Sequence, residues 1–259
     1  INVDWVVADI RDAPAVREAM RGVDWVVHLA AMISVVETMN DPLACYSVNL
    51  TGSLNVLAAA HVEGAQSVVL ASSAAVYGDS EGIVDETAPA RPCSPYGASK
   101  LAMEQVARVY AEAYGLPTVS LRYFNVYGPR QRADSPYAAV IPLFVRAMMK
   151  GEAPTIDGDG RQTRDFVFVD DVVRACLLAV EKAPREGGVL NIGSGQSVSI
   201  LDLYQILQRL IPGAKAPGFG PPRAGDIRHS GGDVRLAQKA LGYRPMTDLE
   251  SGLRSTVQW

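Results

Sequence analysis

The chain has few of the residues that ligate metals or cross-link small domains. Its three cysteines (Cys45, Cys93, Cys176) are odd in number, and its three histidines (His28, His61, His229) are scattered without ligand-like spacing. That argues against a disulfide framework or a structural metal and for a reducing, cytoplasmic setting. A basic excess is also absent: 24 Lys and Arg against 28 Asp and Glu leave a formal charge of −4, and the pI is near 5.4. Nothing here forms an electrostatic footprint for nucleic acid or anionic lipid. No apolar run approaches the 18 or so residues of a membrane span, and "INVDWVVADIRD" places Asp4 and Asp9 where a signal peptide is basic and then apolar. Glycine is scarce early, with only Gly22 before Gly52, and no initiator methionine is present.

What is present is a globular composition. The 259 residues are 48% hydrophobic and 20% charged, enough for one large domain or a domain with a smaller lobe. Short β-branched runs alternate with helical stretches. "VDWVVADI" reads as a strand and "DAPAVREAM" as a helix capped by Asp12; "VDWVVHLAA" is a second strand, followed by a helix from about Asp41 to Glu63. "SVVLASS" and "TVSLRYFNV" read as a third and a fourth strand around another helix. Alternating strands and helices predict an α/β fold, a Rossmann-like doubly wound parallel sheet. After residue 130 the pattern loosens into "AVIPLFVRAMMKG", a turn at Asp157-Gly158-Asp159-Gly160 and the helix "DDVVRACLLAVEKA". The expected organisation is a core over 1–130, with 161–193 returning to it, and a smaller C-terminal substrate lobe formed mainly by 131–259.

"SPYGASK", residues 94–100, carries the first chemical signal. Ser94 suits a helix N-cap and Pro95 the first turn, and Leu101, Val106, Val109 and Tyr110 continue a helical period. Tyr96 and Lys100 therefore share one face, one turn apart. The ammonium should favour the phenolate. Bringing a phenol of pKa about 10 down by roughly 3 units, to serve as a base near neutrality, needs about 4 kcal/mol. One lysine does not supply all of that; a bound cation such as an oxidised nicotinamide supplies the rest. Taken alone, the pair is more often an ordinary i,i+4 contact on a solvated face.

The carboxyl ends of the strands, where an open parallel sheet binds ligands, hold Asp9 and Ile10, then Leu29, Ala30 and Ala31, then Ser72 and Ser73, then Tyr123, Phe124 and Asn125. Small residues at Ala30 and Ala31 admit a flat cofactor. Ser73 offers a hydroxyl where Tyr96 would arrive. Such a set suits moving a proton on and off a substrate hydroxyl.

The stretches "ADIRD", "VVHLAA", "NLTGSLN", "LASSAAVYGDS", "SPYGASK", "LRYFNVYGPRQ", "DGDGRQTRDFVFVDDV", "LNIGSG" and "RAGDIRHS" follow one another along the whole chain. In these the chain resembles the extended short-chain dehydrogenase/reductase family, and within it the nucleotide-sugar 4-epimerases acting on UDP-glucose and UDP-N-acetylglucosamine. The resemblance implies NAD as cofactor and a UDP-sugar as substrate. It implies that Tyr96 takes the proton of the sugar 4-hydroxyl while hydride passes to NAD, that Lys100 lowers the tyrosine pKa and binds the nicotinamide ribose, and that Ser73 hydrogen-bonds the same hydroxyl. Asp9 and Ile10 match adenine contacts. Leu29, Ala30, Ala31, Asn49, Ser72, Tyr123 and Phe124 match the cofactor lining. Ala74 matches a substrate contact; Asn125, Arg164 and Arg223 match diphosphate contacts, chemically suited because guanidinium forks bind phosphate oxygens bidentately. Asp226 matches a ribose contact. Ser230 matches the position where a tyrosine restricts the pocket to plain hexoses and a small residue leaves room for a 2-acetamido group. A homodimer through the Tyr96 helix and its predecessor is also implied.

Two features refine the resemblance. Ser73 is followed by Ala74 and Ala75, where related dehydratases and decarboxylases carry acids, which favours epimerisation over those eliminations. The family's opening strand, G-x-x-G-x-x-G turn and helix are not among these residues. The first βαβ unit is therefore missing, "VDWVVADI" lacks its sheet neighbour, and the chain is expected to be part of a longer protein and to bind NAD poorly by itself. The alternatives are another nucleotide-sugar enzyme of this fold, such as a UDP-glucuronate decarboxylase, a 4,6-dehydratase or a reductase, or a relative that binds nucleotide sugars without turnover.

Overall fold

Asp12 caps the first helix, α1 (Ala13–Ala19), by accepting a hydrogen bond from the Ala15 N–H, and Pro14 sits in its first turn. Our computed structural model describes residues 3–80, 82–134, 138–182, 187–222 and 227–259. After α1 come β1 (Trp25–His28), α2 (Val35–Asn40), α3 (Pro42–Tyr46), a π-helical turn at Ser47–Gly52, α4 (Ser53–Val62) and β2 (Ser67–Ser73). A 3-10 turn at Ala74–Val76 leads to β3 (Ile83–Val84), α5 (Pro95–Tyr114), β4 (Thr118–Tyr123) and β5 (Asn125–Tyr127). The chain continues through α6 (Val140–Met149), β6 (Thr155–Asp157), β7 (Thr163–Phe168), α7 (Val169–Lys182), β8 (Val189–Ile192), β9 (Ser197–Ser199) and α8 (Ile200–Leu210). It closes with β10 (Gly218–Gly220), β11 (His229–Gly232), α9 (Arg235–Leu241) and α10 (Leu249–Gln258).

These elements form two compact units. The first comprises Ile1–Gly78, Pro89–Arg122 and Cys176–Leu190; the second comprises Asp79–Ala88, Tyr123–Ala175 and Asn191–Trp259. The main sheet has the order β1-β2-β4-β8. β1 and β2 run parallel, with Trp25 opposite Ser67 and His28 opposite Leu70. α1, α4 and α5 bury Val16, Leu57 and Met103 with Val68 and Leu70 of β2 and with Leu116. In the second unit β3-β11-β7-β5 form one sheet, with β9 antiparallel on β7, and β6 and β10 form a separate pair. Its core gathers Tyr127, Ile141, Phe144, Ile156, Phe168, Leu203, Leu207 and Leu253.

Three sequence expectations change. "VDWVVADI" is not a strand: residues 3–9 carry no regular structure, and Trp5 is 88% exposed. A strand needs a neighbour for its backbone N–H and C=O groups, and among the described residues nothing pairs with this segment. "TVSLRYFNV" is two strands, because the Phe124 N–H donates to the Ile192 carbonyl while β5 leaves the main sheet to pair with β7. The helix after β1 runs over Pro42–Val62 with its π turn inside. By length and composition alone it could span a membrane, although no such stretch was expected; its Cys45, Val56, Leu57 and Ala60 are buried inside the first unit, as in a core helix.

Candidate active site

Helix α5 sets the geometry of the first unit's site. The Gly97 N–H donates to Ser94 Oγ at 3.1 Å, and Gly115 ends the helix in a left-handed conformation (φ 69°). Gly97 lies against the turn after β2: an added Cβ would stand 2.6 Å from the Ala75 carbonyl oxygen. Only glycine allows that approach, and it brings Tyr96 to the end of β2. There Ser73, whose Oγ accepts from the Ala75 N–H at 3.1 Å, acts on the Tyr96 phenol and favours its ionised form. Lys100 is 3% exposed. Its Nζ donates to the Ala71 carbonyl at 2.7 Å and lies 5.9 Å from the centre of the Tyr96 ring.

The electrostatics differ from the sequence expectation in one respect. Burial pushes the Tyr96 phenol up, opposed by the Ser73 hydroxyl and reinforced by Cys45. The lysine does not bring it down, because its ammonium is turned onto the Ala71 carbonyl. Burial lowers Lys100 itself to about 8, against the opposing pull of Cys45 and Glu104.

Behind this pair lies a buried polar chain. Asn49 accepts from the Met32 N–H at 2.7 Å and donates to the Met32 carbonyl and Ser99 Oγ, both at 3.0 Å. Ser99 Oγ donates to the Tyr96 carbonyl at 2.7 Å. Asn49 thus ties the loop after β1 to the helix that carries Tyr96. His28 Nε2 meets Ser53 Oγ at 2.8 Å, and that hydroxyl donates to the Asn49 carbonyl at 2.6 Å. Burial, and then the Lys100 charge, lower His28 to about 4. The unfolded chain therefore binds more protons than the folded one between about pH 6.5 and pH 4, so stability is full above that window and falls as pH drops through it, by about 3 kcal/mol at the limit. Urea titrations across this range should show a shallower loss for His28→Gln; an unchanged slope would contradict the assignment.

The remaining first-unit positions are placed as follows. Leu29 and Ala30 are exposed and Ala31 is half-buried, forming an open lip after β1. The Asp9 carboxylate accepts from the Arg11 N–H and Nε at 2.9 and 3.0 Å, which holds it down at about 2. Ile10 packs beside Gly52, where a Cβ would lie 2.5 Å from its Cδ1, and the Ile10 carbonyl accepts from Asn55 at 3.0 Å. Ser72 is buried and directs its hydroxyl to Glu104. Ala74 opens the 3-10 turn.

In the second unit Asn125 begins β5 opposite Phe166 of β7, and Arg164 of β7 stands opposite Ser230 of β11. Asn125 and Arg164 line one cavity of about 240 Å³ together with Ala139, Leu143 and Thr155. A larger one of about 680 Å³, lined by Asp157, Gln162, Phe219, Pro222 and Arg228, shares Asp157 and Gln162 with it. Tyr123 is half-buried at the end of β4, and Phe124 is buried against Gly232, where a Cβ would lie 2.6 Å from its Cζ. Arg223 and Asp226 lie outside the described residues.

Sequence reading missed one buried pair. Glu104 and Arg122 form a two-pronged ion pair, Nε to Oε1 at 2.9 Å and Nη2 to Oε2 at 2.7 Å, with Arg122 over the Tyr77 ring at 4.7 Å. The signal was an acid one turn beyond Lys100 and an arginine inside an apolar strand. Among the described residues no group of three or more His, Cys, Asp or Glu side chains could hold a metal ion.

The site fits the nicotinamide ribose end of a dinucleotide: a buried phenol and ammonium one turn apart, beside a lip whose Ala30 and Ala31 leave room for a flat ring. The glycine-rich turn that grips a pyrophosphate is not among the 259 residues. A Rossmann-like parallel sheet with this site defines an extended short-chain dehydrogenase/reductase. The chain belongs to the NAD dependent epimerase/dehydratase family, whose model matches residues 2–193. It is 36% identical over 261 residues to a putative UDP-glucose 4-epimerase of Methanocaldococcus jannaschii, covering 100% of this chain and 84% of that protein. Among solved structures, the UDP-glucose 4-epimerase of Thermotoga maritima with UDP-glucose is similar at a TM-score of 0.95 and 36% identity, covering 99% of this chain and 84% of that one. The UDP-N-acetylglucosamine 4-epimerase of Methanobrevibacter ruminantium in complex with UDP-N-acetylmuramic acid is similar at 0.94 and 38%, covering 98% and 81%.

Proposed function

We propose that the protein is an NAD-dependent 4-epimerase of UDP-hexoses. The observation that carries this reading is the Ser73–Tyr96–Lys100 set, with the Ser73 hydroxyl acting on the Tyr96 phenol and Lys100 buried one turn away. Bound NAD supplies the reversible redox chemistry at the sugar's C4. Tyr96 accepts the proton of the 4-hydroxyl and returns it when the keto sugar presents its other face. Ser73 donates a hydrogen bond to the developing carbonyl oxygen. Ala74 and Ala75 offer no acid for elimination or decarboxylation. Leu29, Ala30, Ala31, Tyr123 and Phe124 line the cofactor in this reading, with Asp9 and Ile10 near its adenine. Asn125, Arg164, Arg223 and Asp226 hold the nucleotide. The setting is the cytoplasm and the assembly a homodimer through α4 and α5, whose Val62, Val109 and Tyr114 are exposed.

The test is to purify the gene product as the cell makes it, read polypeptide mass and retained ligands by native mass spectrometry, and assay UDP-glucose and UDP-galactose interconversion. NAD-loaded protein that interconverts them supports the reading. NAD-loaded protein that only binds them supports a non-catalytic relative, and loss of carbon dioxide from UDP-glucuronate supports a decarboxylase.

Ser230 leaves volume that a tyrosine would fill, so UDP-N-acetylglucosamine should be a substrate as well. Ser230→Tyr should lower kcat/KM for the acetylated sugar by about 100-fold and that for UDP-glucose by less than about threefold, a pocket-shape discrimination. Equal effects on both sugars would sink the gate.

A further inference from the structure

Two neighbouring residues of β2 are fastened to two residues one turn apart on α5. The Ala71 carbonyl accepts from Lys100 Nζ at 2.7 Å, and the Ser72 hydroxyl donates to the Glu104 carboxylate. The next residue of the strand is Ser73. The fastening therefore sets the register between the strand that carries Ser73 and the helix that carries Tyr96 and Lys100. Glu104 is itself immobile, since Arg122 grips both carboxylate oxygens and both side chains are almost wholly buried, 6% and 1% exposed. A bidentate fork fixes direction as well as distance.

We propose that Glu104 is a positioning residue for the Tyr96–Lys100 pair: gripped by Arg122, it holds Ser72 and with it Ser73 in register, and it fixes a buried carboxylate one helical turn beyond Lys100. This rests on the epimerase reading for the meaning of the pair, though not for the geometry. A structural ion pair alone could equally have been apolar, because replacing such a pair with well-packed hydrophobic residues is often neutral or stabilising. Here the carboxylate also belongs to the residue one turn beyond Lys100, and its charge favours the ammonium. The groups acting on that lysine are Cys45 from α3 and Glu104 from its own helix, while His28 of β1 senses the lysine in turn. Glu37 of α2, Tyr46 of α3 and His61 of α4 are the other titratable groups on the helices packed against α5.

The experiment uses the full gene product with its retained cofactor and compares wild type, Glu104→Gln, Ser72→Ala and the paired Glu104→Met, Arg122→Met variant. Two readouts are taken: kcat and KM for UDP-glucose across pH, and the titration of Lys100 followed by NMR of isotope-labelled lysine. Glu104→Gln removes the carboxylate charge and leaves Arg122 unpaired, and both changes disfavour the ammonium. The alkaline limb of kcat/KM and the Lys100 titration should both move about one pH unit lower, with kcat down about tenfold and KM little changed. The paired variant leaves no orphaned charge, so it keeps the test open if the single variant does not fold, and its limb should move the same way. Ser72→Ala should lower kcat without moving the limb. An unmoved limb and an unmoved Lys100 titration in both Glu104 variants would overturn the proposal. Should wild type fail to turn over UDP-hexoses, the epimerase reading falls, and the Lys100 titration still decides the role of Glu104.

Discussion

Tyr96→Phe should lower kcat about a thousandfold, the scale of a lost general base, while leaving NAD and UDP-hexose binding within about threefold. The reasoning starts from what the substitution removes, which is one oxygen. The ring remains on α5, Gly97 still allows the helix start to lie on the turn after β2, and Lys100 keeps its bond to the Ala71 carbonyl. Ser73 retains its hydrogen bond from the Ala75 N–H. Ground-state binding should therefore survive, and only a proton transfer made in the transition state is lost. Such a change reads as a fall in kcat with KM nearly constant. Stopped-flow turnover with UDP-glucose, alongside ligand titration of the same variant, separates the two quantities. A variant that keeps wild-type kcat would mean that Tyr96 is not the base.

The parts of the fold that were legible are those whose signals are local. The start of α5 follows from Ser94 and Pro95, and the structure caps it as those residues require. β2 was legible as an apolar β-branched run, and it is buried along most of its length. "VDWVVADI" has an equally good strand composition and yet forms no strand, since strand formation depends on a neighbour rather than on propensity. The split of "TVSLRYFNV" at Phe124 was hidden for a related reason: no local residue marks where a chain leaves one sheet for another. In the site, spacing placed Tyr96 and Lys100 on one face and strand ends placed Ser73 nearby. Spacing could not show burial, and burial decides that the phenol rises and that Lys100 carries the lowered pKa. Glu104 and Arg122 were passed over because an acid one turn beyond Lys100 and an arginine inside an apolar strand do not show that the two meet; the ion pair exists only once the chain has folded.

Lys100→Met should abolish measurable turnover and at the same time make the protein more stable, by about 1–2 kcal/mol near neutral pH. Burial lowers this ammonium from 10.5 to about 8, so holding it charged inside the fold opposes folding by about 3 kcal/mol. Methionine removes that burden and fills similar volume, at the expense of the charge-assisted hydrogen bond to the Ala71 carbonyl, which offsets part of the gain. The sign can be checked through pH. Between about pH 8 and pH 10.5 the unfolded wild type binds a proton that the folded protein does not, so wild-type stability should rise with pH across that window. The methionine variant has no such group and should lack the rise. Denaturant unfolding of both proteins across the window, with turnover measured in parallel, tests the two halves together. A variant that is inactive and also less stable at neutral pH would show that Lys100 supports the fold; one that is more stable and inactive would show a buried charge maintained against stability for the sake of the chemistry beside it.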